Sequence, residues 1–88
     1  MKHPFDVHVG ANLRRCRVWS GLTQRQLGDH LGITAQAVEE LEAGARTFDP
    51  RIMHEILAVM DIPAAALFVG VAEALREAEA APAKVEAV

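Results

Sequence analysis

Cysteine is almost absent: the one thiol, Cys16, has no second cysteine to pair with, which excludes an intramolecular disulfide, and no metal-ligand or redox spacing surrounds it. A reduced compartment fits that usage. Metal chemistry is equally short of material, because His3, His8, His30 and His54 are scattered. None forms an i, i+4 pair on an expected helix, and no carboxylate is spaced as in a zinc protease. No apolar run approaches the roughly 18 residues of a membrane span. The opening Met1-Lys2-His3-Pro4-Phe5-Asp6 lacks the basic start, apolar stretch and small-residue cleavage site of a secretory signal, so the expected location is the cytoplasm. Volume is scarce too. The 88 residues make one domain, with little room to hold a nucleophile beside a base in a dry pocket. No enzyme activity, cofactor, metal or small-molecule ligand is expected.

A positive field is also missing, since the net charge is −3. Residues 1 to 62 carry seven basic groups against eight acidic ones, a net of −1, and residues 63 to 88 carry two against four, a net of −2. That excludes the whole-domain basicity usual in a nucleic-acid binder. Any basic face must be local.

What the chain does have is apolar periodicity punctuated by caps and glycines, with 51% hydrophobic residues, enough for a compact core. Asp6 can cap a first helix over 7 to 19, in which Val9, Leu13 and Cys16 form one apolar stripe, and Gly21 ends it. Thr23 is an N-cap for a second helix, Gln24 to Leu31, with Leu27 and Leu31 inward and Gly32 supplying the positive φ that stops it. Ile33 plugs the turn, and Thr34 caps a third helix, Ala35 to Ala43, with Val38 and Leu41 inward. Gly44 ends that helix. Asp49-Pro50 pairs a cap with a proline at the first helical position, starting a fourth helix that carries Ile52, Met53, Ile56, Leu57 and Met60. Pro63 opens a fifth, with Leu67, Phe68 and Val71, continuing through alanine- and glutamate-rich sequence to Leu75 and Ala78 until Pro82 stops it. The segmentation is an arm and start of helix 1 at 1–8, the domain proper at 9–68, a helical extension at 69–81 and a disordered tail at 82–88. Residues 63 to 80 present more apolar surface than a terminal helix needs, which makes them the expected oligomer contact.

Two short helices joined by a turn at Gly32-Ile33-Thr34 have helix-turn-helix spacing. The string Leu22-Thr23-Gln24-x-x-Leu27-Gly28-x-x-Leu31-Gly32-Ile33-Thr34-x-x-x-Val38-x-x-Leu41-Glu42-x-Gly44 resembles the Cro and phage-repressor type of helix-turn-helix, the XRE family, over about sixty residues that include Asp61-Ile62-Pro63 and Leu67-Phe68. Asp6-Val7-His8-Val9-Gly10 is similar to the opening of short regulators from alphaproteobacteria. The resemblance implies an all-α, five-helix, lambda-repressor-like domain, its fifth helix extended toward the C-terminus, that binds double-stranded DNA as a homodimer with helix 3 in the major groove.

Residue by residue, Gln24 matches a phosphate-gripping glutamine at a helix start, where backbone N–H groups also favour an anion. Thr23, Arg25 and Thr34 flank the same surface. Ala35, Gln36 and Glu40 match base-reading positions: Gln36 can pair with adenine N6 and N7, Ala35 can touch a thymine methyl, and Glu40 can accept from cytosine N4. Glu39 and Glu40 also repel phosphates. Arg46 and Arg51 match a region that runs along the backbone and can send an arginine into a narrow minor groove. Arg14 and Arg15 are divided between phosphate contact and a solvated helix face. Ala43 departs from the polar or basic residue usual before Gly44. Arg17 and Glu42 match a partly buried ion pair between helices 1 and 3. Cys16 is expected in the core as a small hydrophobe, and Trp19 in the core by default, with a partner-binding patch around Trp19 and Val18 as the alternative.

Function divides accordingly. The first reading is a sequence-specific, repressor-like transcriptional regulator. Its rival keeps the fold as a protein-interaction module, such as an antitoxin, with weak DNA affinity.

Overall fold

The computed structural model describes the backbone of residues 2–86 and the side chains of residues 2–78. It contains α1 (Pro4–Trp19), α2 (Gln24–Leu31), α3 (Ala35–Glu42), α4 (Pro50–Met60), α5 (Ala64–Phe68) and α6 (Val71–Glu86), with no strand among the described residues. Helices α1 to α5 form the expected five-helix domain. No single described helix is long and apolar enough to cross a membrane.

Caps set most of the boundaries. Thr23 Oγ1 accepts from the Gln26 amide while Gln26 Oε1 accepts from the Thr23 amide, a reciprocal box that opens α2. Thr34 Oγ1 accepts from the Ala37 amide at the start of α3, and Asp49 Oδ1 from the Ile52 amide at the start of α4. Helix α1 starts earlier than expected from Asp6. The N-cap is His3, whose Nδ1 accepts from the Phe5 amide at 3.1 Å, with Pro4 preset at the first helical position. Asp6 lies in the first turn, where its charge complements the helix dipole.

The core joins Val9 and Leu13 of α1, Leu27 and Leu31 of α2, Val38 and Leu41 of α3, Ile52, Ile56 and Met60 of α4, and Leu67 of α5. Phe48 and Val71 complete it, and neither stood among the residues expected there. Cys16 is only half-buried, packed against the edge of this core. Helix α1 packs against α3, α5 and α6, and α2 against α3 and α4. Gly10 is what lets α1 approach the end of α3. A Cβ there would collide with the Leu41 carbonyl oxygen and lie 2.7 Å from the Glu42 carbonyl oxygen.

The C-terminal third corrects three expectations. The fifth helix is not continuous into its extension: it breaks at Val69-Gly70, where Gly70 has φ +76. Asn12 is the cause. Its side-chain amide, fully buried, donates to the carbonyls of Leu67 at 2.7 Å and Val69 at 3.0 Å. His8 Nε2 lies 2.8 Å from the same Val69 oxygen and, since a carbonyl only accepts, carries its proton there. Carbonyls at the end of α5 are thus capped from α1. The break turns α6 back onto α1, so Leu67 and Val71, expected at an oligomer contact, are buried in their own domain. Nor does Pro82 end the helix. Backbone helicity runs through it to Glu86. The remainder of the expected tail, Ala87 and Val88, lies outside the described residues.

Candidate nucleic-acid interface

Helix α3 divides cleanly by period. Ala37, Val38, Leu41 and Glu42 are buried, while Gln36 and Glu39 are exposed and Ala35 and Glu40 half-exposed. Four of these outward residues, with Gln24, Ala43 and Ala45, line an open concavity of about 400 Å³. Four expected site residues therefore meet there: Gln24, Ala35, Gln36 and Glu40.

Behind this face a polar network holds α3 in place. Arg17 Nε donates to Glu42 Oε2 at 2.5 Å and Nη2 to Oε1 at 3.2 Å, with the two side chains only 12% and 4% exposed. Arg17 Nη1 also donates to the Leu22 carbonyl at 2.8 Å, tying in the turn before α2. Gln24 Nε2 donates to Glu42 Oε1 at 3.0 Å. The glutamine expected to face a phosphate thus spends one amide hydrogen on the carboxylate behind it and keeps a second. Thr23 and Thr34 use their oxygens as caps and keep their hydroxyl protons to donate. Every buried side-chain polar atom among the described residues has a partner, as a rigid support for a reading surface needs.

The basic groups separate by position. Arg15 turns away, its Nη1 donating to Asn12 Oδ1 at 2.8 Å in the cap of α5. Arg14 instead borders the α3 edge, lining a second concavity with Arg17, Gln24, Glu39, Glu42 and Ala43. Arg25 is exposed on α2. Arg51 is largely exposed at the start of α4, with Glu55 a loose 3.9 Å away. Arg46 Nη2 donates to Glu40 Oε1 at 3.2 Å. Sequence reasoning assigned Arg46 and Glu40 separate roles and missed their pairing, which needs the loop after α3 to turn back.

Trp19 corrects the expectation of a core residue. It is 92% exposed beside an exposed Val18. No residue between Arg14 and Gly21 is fully buried. With Ala11, Arg14, Arg15 and Glu42, these two side chains line a third, shallow depression.

This fold and this exposed third helix define a helix-turn-helix domain of the Cro and phage-repressor type. The chain belongs to the helix-turn-helix domain family, whose model matches residues 8–78. It is 32% identical over 66 residues to an uncharacterized HTH-type transcriptional regulator of Sinorhizobium medicae (strain WSM419), covering 75% of this chain and 48% of that protein. It is 37% identical over 51 residues to the uncharacterized HTH-type transcriptional regulator YqaE of Bacillus subtilis (strain 168), covering 58% of this chain and 44% of that one. The chain thus spans about half the length of the curated relatives it matches. Among solved structures, the restriction-modification controller protein C.AhdI from Aeromonas hydrophila superposes with a TM-score of 0.66 at 29% identity, over 70% of this chain and 90% of that one. The clp gene regulator ClgR from Corynebacterium glutamicum superposes at 0.73 with 24% identity, over 92% and 88%, a likeness of fold.

Proposed function

We propose that this chain is a sequence-specific DNA-binding transcriptional regulator, repressor-like and cytoplasmic, acting as a homodimer on a palindromic operator and without a catalytic role. One observation carries the reading: α3 presents Ala35 and Gln36 outward while the Arg17–Glu42–Gln24 network fixes the helix from behind. In the bound state Gln36 reads adenine and Ala35 a thymine methyl. Thr23, Gln24 and Arg25 at the start of α2 and Thr34 at the start of α3 hold phosphates. Glu40 and Arg46 face the bases at the far end of α3, and Arg51 follows the backbone from α4. Two copies place their third helices in successive major grooves about 34 Å apart. The names of the relatives, transcriptional regulators and a controller protein, support this reading.

The rival reading, a protein-interaction module such as an antitoxin, is favoured by the exposed Trp19 and by Glu39 and Glu40 on the outer face. Titrating salt against binding to random duplex DNA separates the two. If Arg14, Arg25 and Arg51 of each protomer neutralise phosphates, log affinity falls with log salt with a slope of about −5 for the dimer. Gln36→Ala then weakens only the preferred site, about 10-fold or more. A folded protein that binds no duplex at low salt overturns the regulator reading in favour of its rival.

A further inference from the structure

We propose that the residue reading the base pair beneath the C-terminal half of α3 is Arg46, that it selects guanine, and that Glu40 is its positioning residue rather than a base reader. The inference rests on the DNA-reading function above. Glu40 is four residues after Gln36 and so lies on the same outward face, one turn along. Its backbone carbonyl accepts from the Ala45 amide at 2.9 Å, which folds the loop after α3 back over the helix. Arg46 follows directly, and its guanidinium meets the Glu40 carboxylate at 3.2 Å with the side chains 51% and 40% exposed. Glu40 borders the concavity that Gln36 and Ala35 line, and Arg46, bonded to it, lines the neighbouring concavity with Lys2, Asp6 and Thr47.

Chemistry assigns the roles. A lone carboxylate pushed between two phosphate chains is repelled, whereas a carboxylate already bonded to a guanidinium enters as a neutral pair. One of the five guanidinium hydrogens is used on Glu40, leaving enough on an adjacent edge for a bidentate contact. In the major groove only guanine offers two acceptors, O6 and N7, side by side. Adenine sets an amino donor against the arginine at the same place. Holding the guanidinium through one oxygen restricts a long, flexible side chain to the orientation in which that contact forms. The free protein gains little from so exposed a pair, so its removal leaves folding intact and its effect on DNA legible.

The test uses the full chain. A binding site is selected from randomised duplexes, and anisotropy then measures affinity for that site, for single-base changes, and for a duplex with 7-deazaguanine at the guanine position. Expected are a 10- to 100-fold preference for guanine at one position per half-site and a comparable loss with 7-deazaguanine, which lacks the N7 acceptor. Arg46→Ala abolishes both effects. Glu40→Ala reduces them, and Glu40→Gln, which keeps an acceptor oxygen, retains more, all with unchanged melting temperature. Gln36→Ala alters a different position. Insensitivity of the wild type to 7-deazaguanine, with Glu40→Ala alone changing the preference, would mean that Glu40 reads the cytosine of that pair, and the proposal fails. It fails equally if Arg46→Ala weakens all duplexes alike and lowers the salt slope by about one, the mark of a phosphate contact. Those failures leave the Gln36 effect in place, whereas absence of binding to any duplex overturns the DNA-reading function with it.

Discussion

Glu39 and Glu42 differ by three positions on α3 and by everything around them. Glu39 is exposed, while Glu42 accepts from Arg17 and Gln24 in a nearly closed setting. Glu42→Ala should destabilise the fold by about 3 kcal/mol, because it strands the Arg17 charge beneath α3. Glu39→Ala should change stability by no more than about 0.5 kcal/mol. Denaturant titration of the two variants checks the difference, and equal effects would mean that Arg17 finds water instead. Gly10 makes a second case at this scale. Its Cβ position is occupied by backbone oxygens of Leu41 and Glu42, which belong to a helix end and cannot swing aside as a side chain would. Gly10→Ala is expected to force α1 and α3 apart and to cost at least about 2 kcal/mol, measured as a lowered melting temperature with weakened DNA binding. A neutral outcome would show the α1–α3 contact to be softer than its geometry indicates.

Helices α5 and α6 depend on α1 more than on their own sequence. The five-residue α5 has a proline N-cap without a side-chain bond, and its last carbonyls are satisfied by Asn12 and His8, some 55 to 61 positions earlier. Asn12→Ala leaves the buried Leu67 carbonyl short of its donor, while His8 still serves the Val69 oxygen, a loss of about 2 kcal/mol. The sign at element level is specific: amide hydrogen exchange should accelerate over residues 70 to 76, where α6 leaves the break, while α2 and α3 keep their protection. Unchanged exchange there would mean that Val71 alone docks α6. Arg15→Ala, which removes only the outer partner of Asn12, should have a smaller effect in the same place.

For the whole molecule, the burial of Leu67 and Val71 means that the C-terminal helices are part of the core and not an appendage. A chain ending at Ile62 should therefore fail to fold, since truncating even one buried leucine costs about 2 to 5 kcal/mol against a total of roughly 5 to 15. Loss of the helical circular dichroism signal at low concentration is the expected readout. A folded monomer of that length would show instead that α5 and α6 serve association. What α5 and α6 leave outward is apolar only in part: Val69 is exposed, and Phe68, paired with Phe5 at 6.0 Å between ring centroids, is half-buried. The molecule's net charge is unfavourable to DNA binding, and under the proposed function its basic groups would act by placement, Arg14 at the edge of α3 and Arg25 and Arg51 exposed on α2 and α4.

Thr23, Thr34, Asp49-Pro50 and Gly32 mark boundaries that are legible from residue order alone, because a cap bonds to an amide two or three residues away and a left-handed glycine acts on its own helix end. The inward positions of α2, α3 and α4 were legible for the same reason, a period of 3.6 that needs no knowledge of the partner. The outward placement of Ala35 and Gln36 follows from it, and so does the candidate face. It took the packed chain to set where α5 ends, to leave Trp19 in solvent, to lean Gln24 on Glu42 and to bring Glu40 to Arg46. Each of these depends on which distant or looped-back group arrives beside a residue, and no local spacing encodes that meeting.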